Sequence, residues 1–253
     1  MSRPALQPHL SVVIPAFNEE ARIQRTLERV VGFLLAQSYP WEVVVADDGS
    51  TDATAALAGE FASSHANVRL LTLEHRGKGW AVKNGMLTSA GEYRLLCDAD
   101  LSVPIEQVER LLPPQIHGVD IAVGSREMPD SKRFGEPAHR HLMGRVYNGL
   151  VRVLAVPGLK DTQCGFKCYR GAIVPRLFGA QRMDGFAFDS EVMFLARKAG
   201  LTMREIGVDW YYGRGSKVRP VTDSLTMTGD LLKIRWNFNK GLYPDFNRLR
   251  SVE

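Results

Sequence analysis

The chain has 253 residues, 45% of them hydrophobic and 24% charged, with a formal net charge of +4. That length can bury a full core, which excludes a small disulfide-stapled module, and the ordinary charged content excludes a largely disordered chain. The modest positive balance is compatible with an anionic substrate or a membrane surface, and no nucleic-acid partner is expected.

The opening MSRPALQPHLSVVIP lacks the long apolar core of a signal peptide, and no apolar run approaches the ~20 residues that span a bilayer. A cytoplasmic protein, soluble or peripheral at the membrane face, is the expectation. LSVVIP (10–15) is the first compact β-branched run, suited to a strand buried on both faces. Residues 19–37 follow as a helix, with Ile23, Leu27, Val30, Val31, Leu34 and Leu35 at helical spacing behind a candidate cap at Asn18. EVVVAD (42–47) is the second strand. The turn DGSTD then opens a second helix carrying Leu57 and Phe61, in which Asp52 or Ser50 suffices as cap and Asp47 and Asp48 have no evident structural task.

VRLLTL (68–73) reads as the third strand and leads into RGKG (76–79) with Lys83, a glycine-rich cationic turn where phosphate could meet a helix start. Neither GxxxxGK[ST] nor GxGxxG is present, which argues against a P-loop or a dinucleotide site. YRLLCD (93–98) and VDIAVG (119–124) complete five strands alternating with helices at roughly 25 to 30 residues per unit, the rhythm of a mostly parallel sheet. Ligands of such sheets sit at the carboxyl ends of the strands. There, Asp98 and Asp100 of CDADLS flank one small residue. They either cap the next turn or offer oxygen ligands to Mg²⁺ or Mn²⁺.

Beyond residue 125 a polar basic stretch with Lys132, Arg133, Arg140 and Arg145 runs into an apolar helix ending near Ala155; His139 and His141 read as solvent-facing. DTQCGFKCYR, a helix near 189–199, a strand near 201–211 and an amphipathic stretch over about 222–239 follow. That last stretch mixes Leu231, Leu232, Ile234, Trp236, Phe238 and Tyr243 with Lys233, Arg235 and Lys240, and is read either as an interfacial helix or as one packed on the domain. Cys97, Cys164 and Cys168 make an odd set without CxxC spacing, which reads as reduced packing thiols rather than a zinc site.

SVVIPAFNEE, VVVADDGSTD, RGKGWAVKNGM, CDADLS, GSR, DTQCGFKCYR, FDSE and GSKV occur in the order and spacing of family 2 glycosyltransferases. More narrowly, the chain resembles the dolichyl-phosphate β-glucosyltransferase and polyprenyl-phosphate glycosyltransferase branch over roughly residues 10 to 220. The resemblance implies a single α/β domain of the GT-A fold, with a nucleotide-sugar half (9–126), an acceptor half (127–221) and a C-terminal helix and tail (222–253). It implies inverting, metal-dependent transfer of a hexose from a nucleotide sugar, UDP-glucose ahead of GDP-mannose, to a polyprenyl phosphate.

By the same resemblance Pro15, Phe17, Glu19, Asp48 and Lys78 belong to the sugar-nucleotide site, Phe17 standing where the family often has Tyr, and Trp80 replaces a small residue. Asp98 and Asp100 match the metal ligands, Mg²⁺ or Mn²⁺. Arg126 and Lys217 match cations at the phosphates. Arg133 and Arg145 are assigned to the acceptor, as are Asp161, Gln163, Lys167 and Glu191, while Asp189 would orient a sugar hydroxyl. A soluble hydroxyl acceptor, requiring Asp189 or Glu191 as base, is the competing enzyme reading. A sugar nucleotidyltransferase and a non-catalytic nucleotide-sugar-binding module leave the paired acids at two strand ends unexplained.

Overall fold

The structure is a computed structural model, and it describes residues 7–137, 149, 156, 158–213 and 220–243, without the side chains of 220–228. The first half folds as the alternation predicts: β1 (Leu10–Ala16), α1 (Ile23–Leu35), β2 (Trp41–Asp47), α2 (Thr54–Ser64), β3 (Val68–Thr72), α3 (Lys78–Thr88) and β4 (Tyr93–Cys97). A 3₁₀ turn over Ile105–Leu111 leads to β5 (Ile121–Ser125). Then come β6 (Lys132–Phe134), β7 (Phe166–Arg170), α4 (Val174–Ala180), α5 (Phe188–Lys198), β8 (Met203–Gly207), β9 (Asp209–Tyr211) and α6 (Pro220–Asn239).

Seven strands form one sheet in the order β3-β2-β1-β4-β7-β5-β8, and β6 pairs with β9 in a separate two-stranded ribbon. Contacts β3-β2, β2-β1, β1-β4 and β5-β8 are parallel; β7 runs antiparallel to both neighbours. Strand periodicity sorts the core into two layers. Val12, Ile14, Val43, Val45, Leu95 and Cys97 face α1 and the 3₁₀ turn. Val13, Val44 and Leu96 face α3, α4, α5 and α6.

Two expectations are revised. DTQCGFKCYR, to which the sequence assigned no element, carries a strand, and 201–211 holds two strands instead of one. Asn18 is not the cap of α1, which starts at Ile23 after Arg22 with no side-chain cap. The three cysteines are free and buried, as packing thiols should be. α6 presents one face to the core through Leu231 and Ile234, while Leu232 and Trp236, one turn apart, are exposed. No helix among the described residues is long and apolar enough to cross a membrane.

Candidate active site

The loops after β1 and β2 interlock. Asn18, at φ 51°, accepts the Thr51 amide at 2.8 Å and donates its own N–H to Ser50 Oγ at 2.9 Å. The Glu19 N–H reaches Thr54 Oγ1 at 2.6 Å, and the Glu19 carboxylate pairs with Arg22 at 2.9 Å. Pro15 is buried inside β1, opposite Ala46 of β2. Both acids of β2's end have structural tasks that the sequence did not disclose. Asp47 accepts the Ser50 hydroxyl and amide, closing the turn. Asp48, almost fully buried, accepts the amides of Arg76 at 3.0 Å and Gly77 at 2.9 Å and the His75 Nδ1 proton at 2.8 Å. His75, which sequence reasoning passed over, stacks on Phe17 with ring centroids 4.1 Å apart. Three strand ends are thereby tied into one wall.

RGKG is not a loose phosphate loop. A Cβ on Gly77 would lie 2.6 Å from the Asp184 carbonyl oxygen, and one on Gly79 would lie 2.5 Å from that of Met183. Glycine at both positions lets α3 press its start against the 183–185 turn. Trp80 donates its amide to the Asp184 oxygen at 3.1 Å, and its ring lies under the Arg76 guanidinium, which also pairs with Asp184.

This packing aims Lys78 at β4's end, where its Nζ lies 2.6 Å from Asp98 Oδ1. Burial alone would lower the Lys78 ammonium; the carboxylates of Asp98, Asp189 and Asp100 outweigh it and raise the group above the usual lysine value. Gly165, just before β7, covers Asp98 from the other side, since a Cβ there would meet Asp98 Oδ2 at 2.0 Å. Asp100 is exposed, with Oδ1 accepting the Ser102 amide at 2.9 Å.

Two carboxylates with one partly neutralised suit a hard divalent cation, and no group of three or more His, Cys, Asp or Glu ligands occurs among the described residues. The remaining coordination positions would fall to substrate oxygens and water, the habit of Mg²⁺ and Mn²⁺.

Register places Lys167 opposite Leu96, on the α5 side of the sheet. There, fully buried, it donates to Asp189 Oδ1 at 2.7 Å and to the Cys164 carbonyl at 2.6 Å. Burial pushes the Asp189 carboxyl up, opposed by Lys167 and Lys78. After β5, Arg126 meets Asp161 through Nε at 2.7 Å and Nη2 at 2.9 Å, with its amide adding a third bond at 3.0 Å. Asp161 has no exposed surface. Burial would raise its pKa, yet Arg126 holds it well below the carboxylate range. Gln163 donates its amide to Asp161 and its side-chain NH₂ to Ser190. Arg133 binds the Arg126 carbonyl and pairs with Glu127 and Glu136.

The sequence model of Glycosyl transferase family 2 matches residues 11–178. The chain belongs to this family. It is 34% identical over 249 residues to the dolichyl-phosphate beta-glucosyltransferase of Dictyostelium discoideum, covering 93% of this chain and 76% of that one. The human enzyme of the same name is also 34% identical, covering 92% and 77%. Among solved structures, mannosyl-3-phosphoglycerate synthase from Rubrobacter xylanophilus superposes with a TM-score of 0.66 at 17% identity, over 94% of this chain and 76% of that one. Glucosyl-3-phosphoglycerate synthase from Mycobacterium tuberculosis, in complex with Mn²⁺, UDP-glucose and phosphoglyceric acid, gives 0.64 at 18%, over 91% and 79%. These neighbours share the GT-A fold. The protein is a glycosyltransferase.

Within this family 2 glycosyltransferase, four residues assigned to the acceptor side are already committed internally. Asp161 and Lys167 lie in buried ion pairs, and Arg133 is spent on two glutamates. Glu191, fully buried, accepts the amides of Arg182 at 2.9 Å and Met183 at 2.8 Å and the Tyr243 hydroxyl at 2.6 Å. It fixes the turn on which α3 rests. The carboxylates of Asp161 and Glu191 and the ammonium of Lys167 are buried with their partners satisfied, whereas Arg133 is only partly buried. Arg145, Lys217, Arg140, His139 and His141 lie outside the described residues.

The Glu191 assignment is testable. Glu191→Gln can accept both amides through its oxygen and donate to Tyr243, so it should keep near-wild-type turnover. Glu191→Ala strands two buried N–H groups and should cost about 2–4 kcal/mol in urea unfolding. Loss of turnover in a stable Gln variant would instead give the carboxylate a chemical role.

Proposed function

We propose that this glycosyltransferase transfers glucose from UDP-glucose to a polyprenyl or dolichyl phosphate, with Mg²⁺ or Mn²⁺ held by Asp98 and Asp100. Relatives named dolichyl-phosphate beta-glucosyltransferase match over more than nine-tenths of the chain, and a fold neighbour was solved with Mn²⁺ and UDP-glucose. The observation that carries the acceptor class is the pairing of the site's buried acids: Asp189 is bonded to Lys167 and Asp161 to Arg126. A lipid phosphate is already anionic and needs no base to ionise it.

The difficulty is electrostatic instead. Two unit negative charges 4 Å apart repel by about 4 kcal/mol at an effective dielectric of about 20. A divalent cation at Asp98 and Asp100 would supply positive charge to the leaving diphosphate. Lys78 brings a second cation to the same strand end. Arg126, fixed by Asp161 with its guanidinium 5.5 Å over the Trp210 ring, offers a third just after β5, oriented before either anion arrives. Phe17 and His75 form a flat wall for the base, and Asp48, the acid matched to the base reader, serves by holding His75 and the start of α3 in place.

A hydroxyl acceptor is favoured by one observation, the raised Asp189 carboxyl, which suits a base. Contact with a lipid surface through Leu232 and Trp236, flanked by Lys233 and Lys240, belongs to the lipid-phosphate reading. The test is transfer of labelled sugar from UDP-glucose and, in parallel, GDP-mannose to a polyprenyl phosphate and to the matching polyprenol, with Mn²⁺ or with chelator. Metal-dependent transfer from UDP-glucose to the phosphate alone is expected. Transfer to the alcohol would move the reading to Asp189 as base.

A further inference from the structure

The β6-β9 ribbon has two unlike faces. Register pairs Lys132 with Asp209, Arg133 with Trp210 and Phe134 with Tyr211, so side chains alternate between faces along each short strand. Arg133 and Trp210 share the inner face, where one binds the Arg126 carbonyl at 3.1 Å and the other underlies the Arg126 guanidinium. On the outer face Phe134 and Tyr211 stack with ring centroids 4.5 Å apart and planes 11° from parallel. They are 40% and 47% exposed, and neither belongs to either core layer. Lys132 is exposed on the same face.

The strand that carries Tyr211 runs on to the reaction centre. The Tyr211 amide donates to the Ser102 carbonyl at 2.7 Å, two residues past Asp100. Two residues past Tyr211, a Cβ on Gly213 would lie 3.9 Å from Asp100 Oδ2. The ribbon therefore spans from the arginine at one strand end to the acid at the other. An anion seated between those groups would have its substituent leave the site alongside the ribbon.

We propose that the Phe134-Tyr211 stack is a subsite for the first isoprene units of the acceptor, on the reading that the acceptor is a polyprenyl phosphate. A stacked aromatic pair offers a flat apolar platform, and the branched, unsaturated isoprenoid chain is apolar along its whole length, so contact removes both from water. A membrane surface would need no continuity with Asp100, and a protein partner would not call for a platform beside the reacting group.

The experiment compares heptaprenyl phosphate with geranyl phosphate as acceptors, both in the same detergent micelles, for the wild type and the double variant Phe134→Ser/Tyr211→Ser. The expected result is a wild-type kcat/KM favouring the longer acceptor and a fall of about tenfold or more in that ratio in the variant, with the KM for UDP-glucose unchanged. Both side chains lie outside the core, so an unchanged thermal midpoint shows that the variant folds. An unchanged ratio overturns the subsite. Loss of vesicle co-sedimentation without acceptor, at an unchanged ratio, also overturns it and makes the stack a membrane anchor. A wild type that glucosylates neither phosphate removes the lipid-phosphate reading itself, and the subsite with it.

Discussion

Replacing Asp100 with Asn is expected to lower sugar transfer by roughly a thousandfold while leaving the fold intact. Asn preserves the side chain's volume and, through its oxygen, the 2.9 Å bond from the Ser102 amide. Because Asp100 is exposed, little folding free energy rides on its charge. The loss is confined to the negative charge offered to a cation beside the diphosphate. Two measurements check this: kcat/KM at saturating Mn²⁺, and calorimetric Mn²⁺ affinity in the presence of UDP. Both should fall together. Full turnover in Asp100→Asn would sink the metal assignment, since Asp98 already faces Lys78 and could not hold the ion alone.

Asp161→Asn should act in the opposite way, through stability first. The substitution keeps the volume but removes the charge facing a buried guanidinium, and breaking one side of such a pair costs about 3–5 kcal/mol. Neighbouring bonds raise the stakes: Glu205 accepts the amides of Lys160 and Asp161 and the hydroxyl of Ser125, so the segments carrying Arg126 and Asp161 are joined through a second carboxylate. Urea unfolding at neutral pH reads the effect. Its pH dependence gives a second check. Asp161's folded pKa is depressed, so its contribution is fully present above the ordinary carboxylate value and is lost as pH falls below that towards the folded value. The wild-type advantage over Asp161→Asn should shrink in acid. A gap that stays constant down to strongly acidic pH would contradict an ionised Asp161.

Sequence patterning carried the first half of the fold because β1, β2, β4 and β5 are buried, mostly apolar runs alternating with helices, and the half-buried edge strand β3 keeps the same rhythm. It assigned no element to β7, where the strand contains a lysine. Lys167 is tolerated in the interior because Asp189, 22 residues away, meets it, and no local pattern announces a partner at that distance. The acids at the end of β2 also misled. Asp47 looked idle although its partner Ser50 is only three residues on, and the partners of Asp48, at the start of the third loop, become neighbours only when the parallel strands align. Asp98 and Asp100 were visible from the sequence, being acids at the end of an apolar strand. Gly165 left a trace in the CGF stretch, but its reason, the Asp98 carboxylate lying where a side chain would go, is a tertiary fact.

The antiparallel insertion of β7 also bears on how the site comes into being. β5 pairs with β7 and β8 and with no strand before it, so during synthesis it has no edge to join until some forty residues more have emerged. Asp98 likewise waits for Gly165 and Lys78 for the turn that α5 steadies. A fragment ending at residue 126 would contain most of the loops that contact the nucleotide in the proposed reaction, yet β4 would keep an open edge and β5 none to occupy. Such a fragment is prone to self-association. The strand order therefore leads us to expect the two halves distinguishable in the sequence to unfold together.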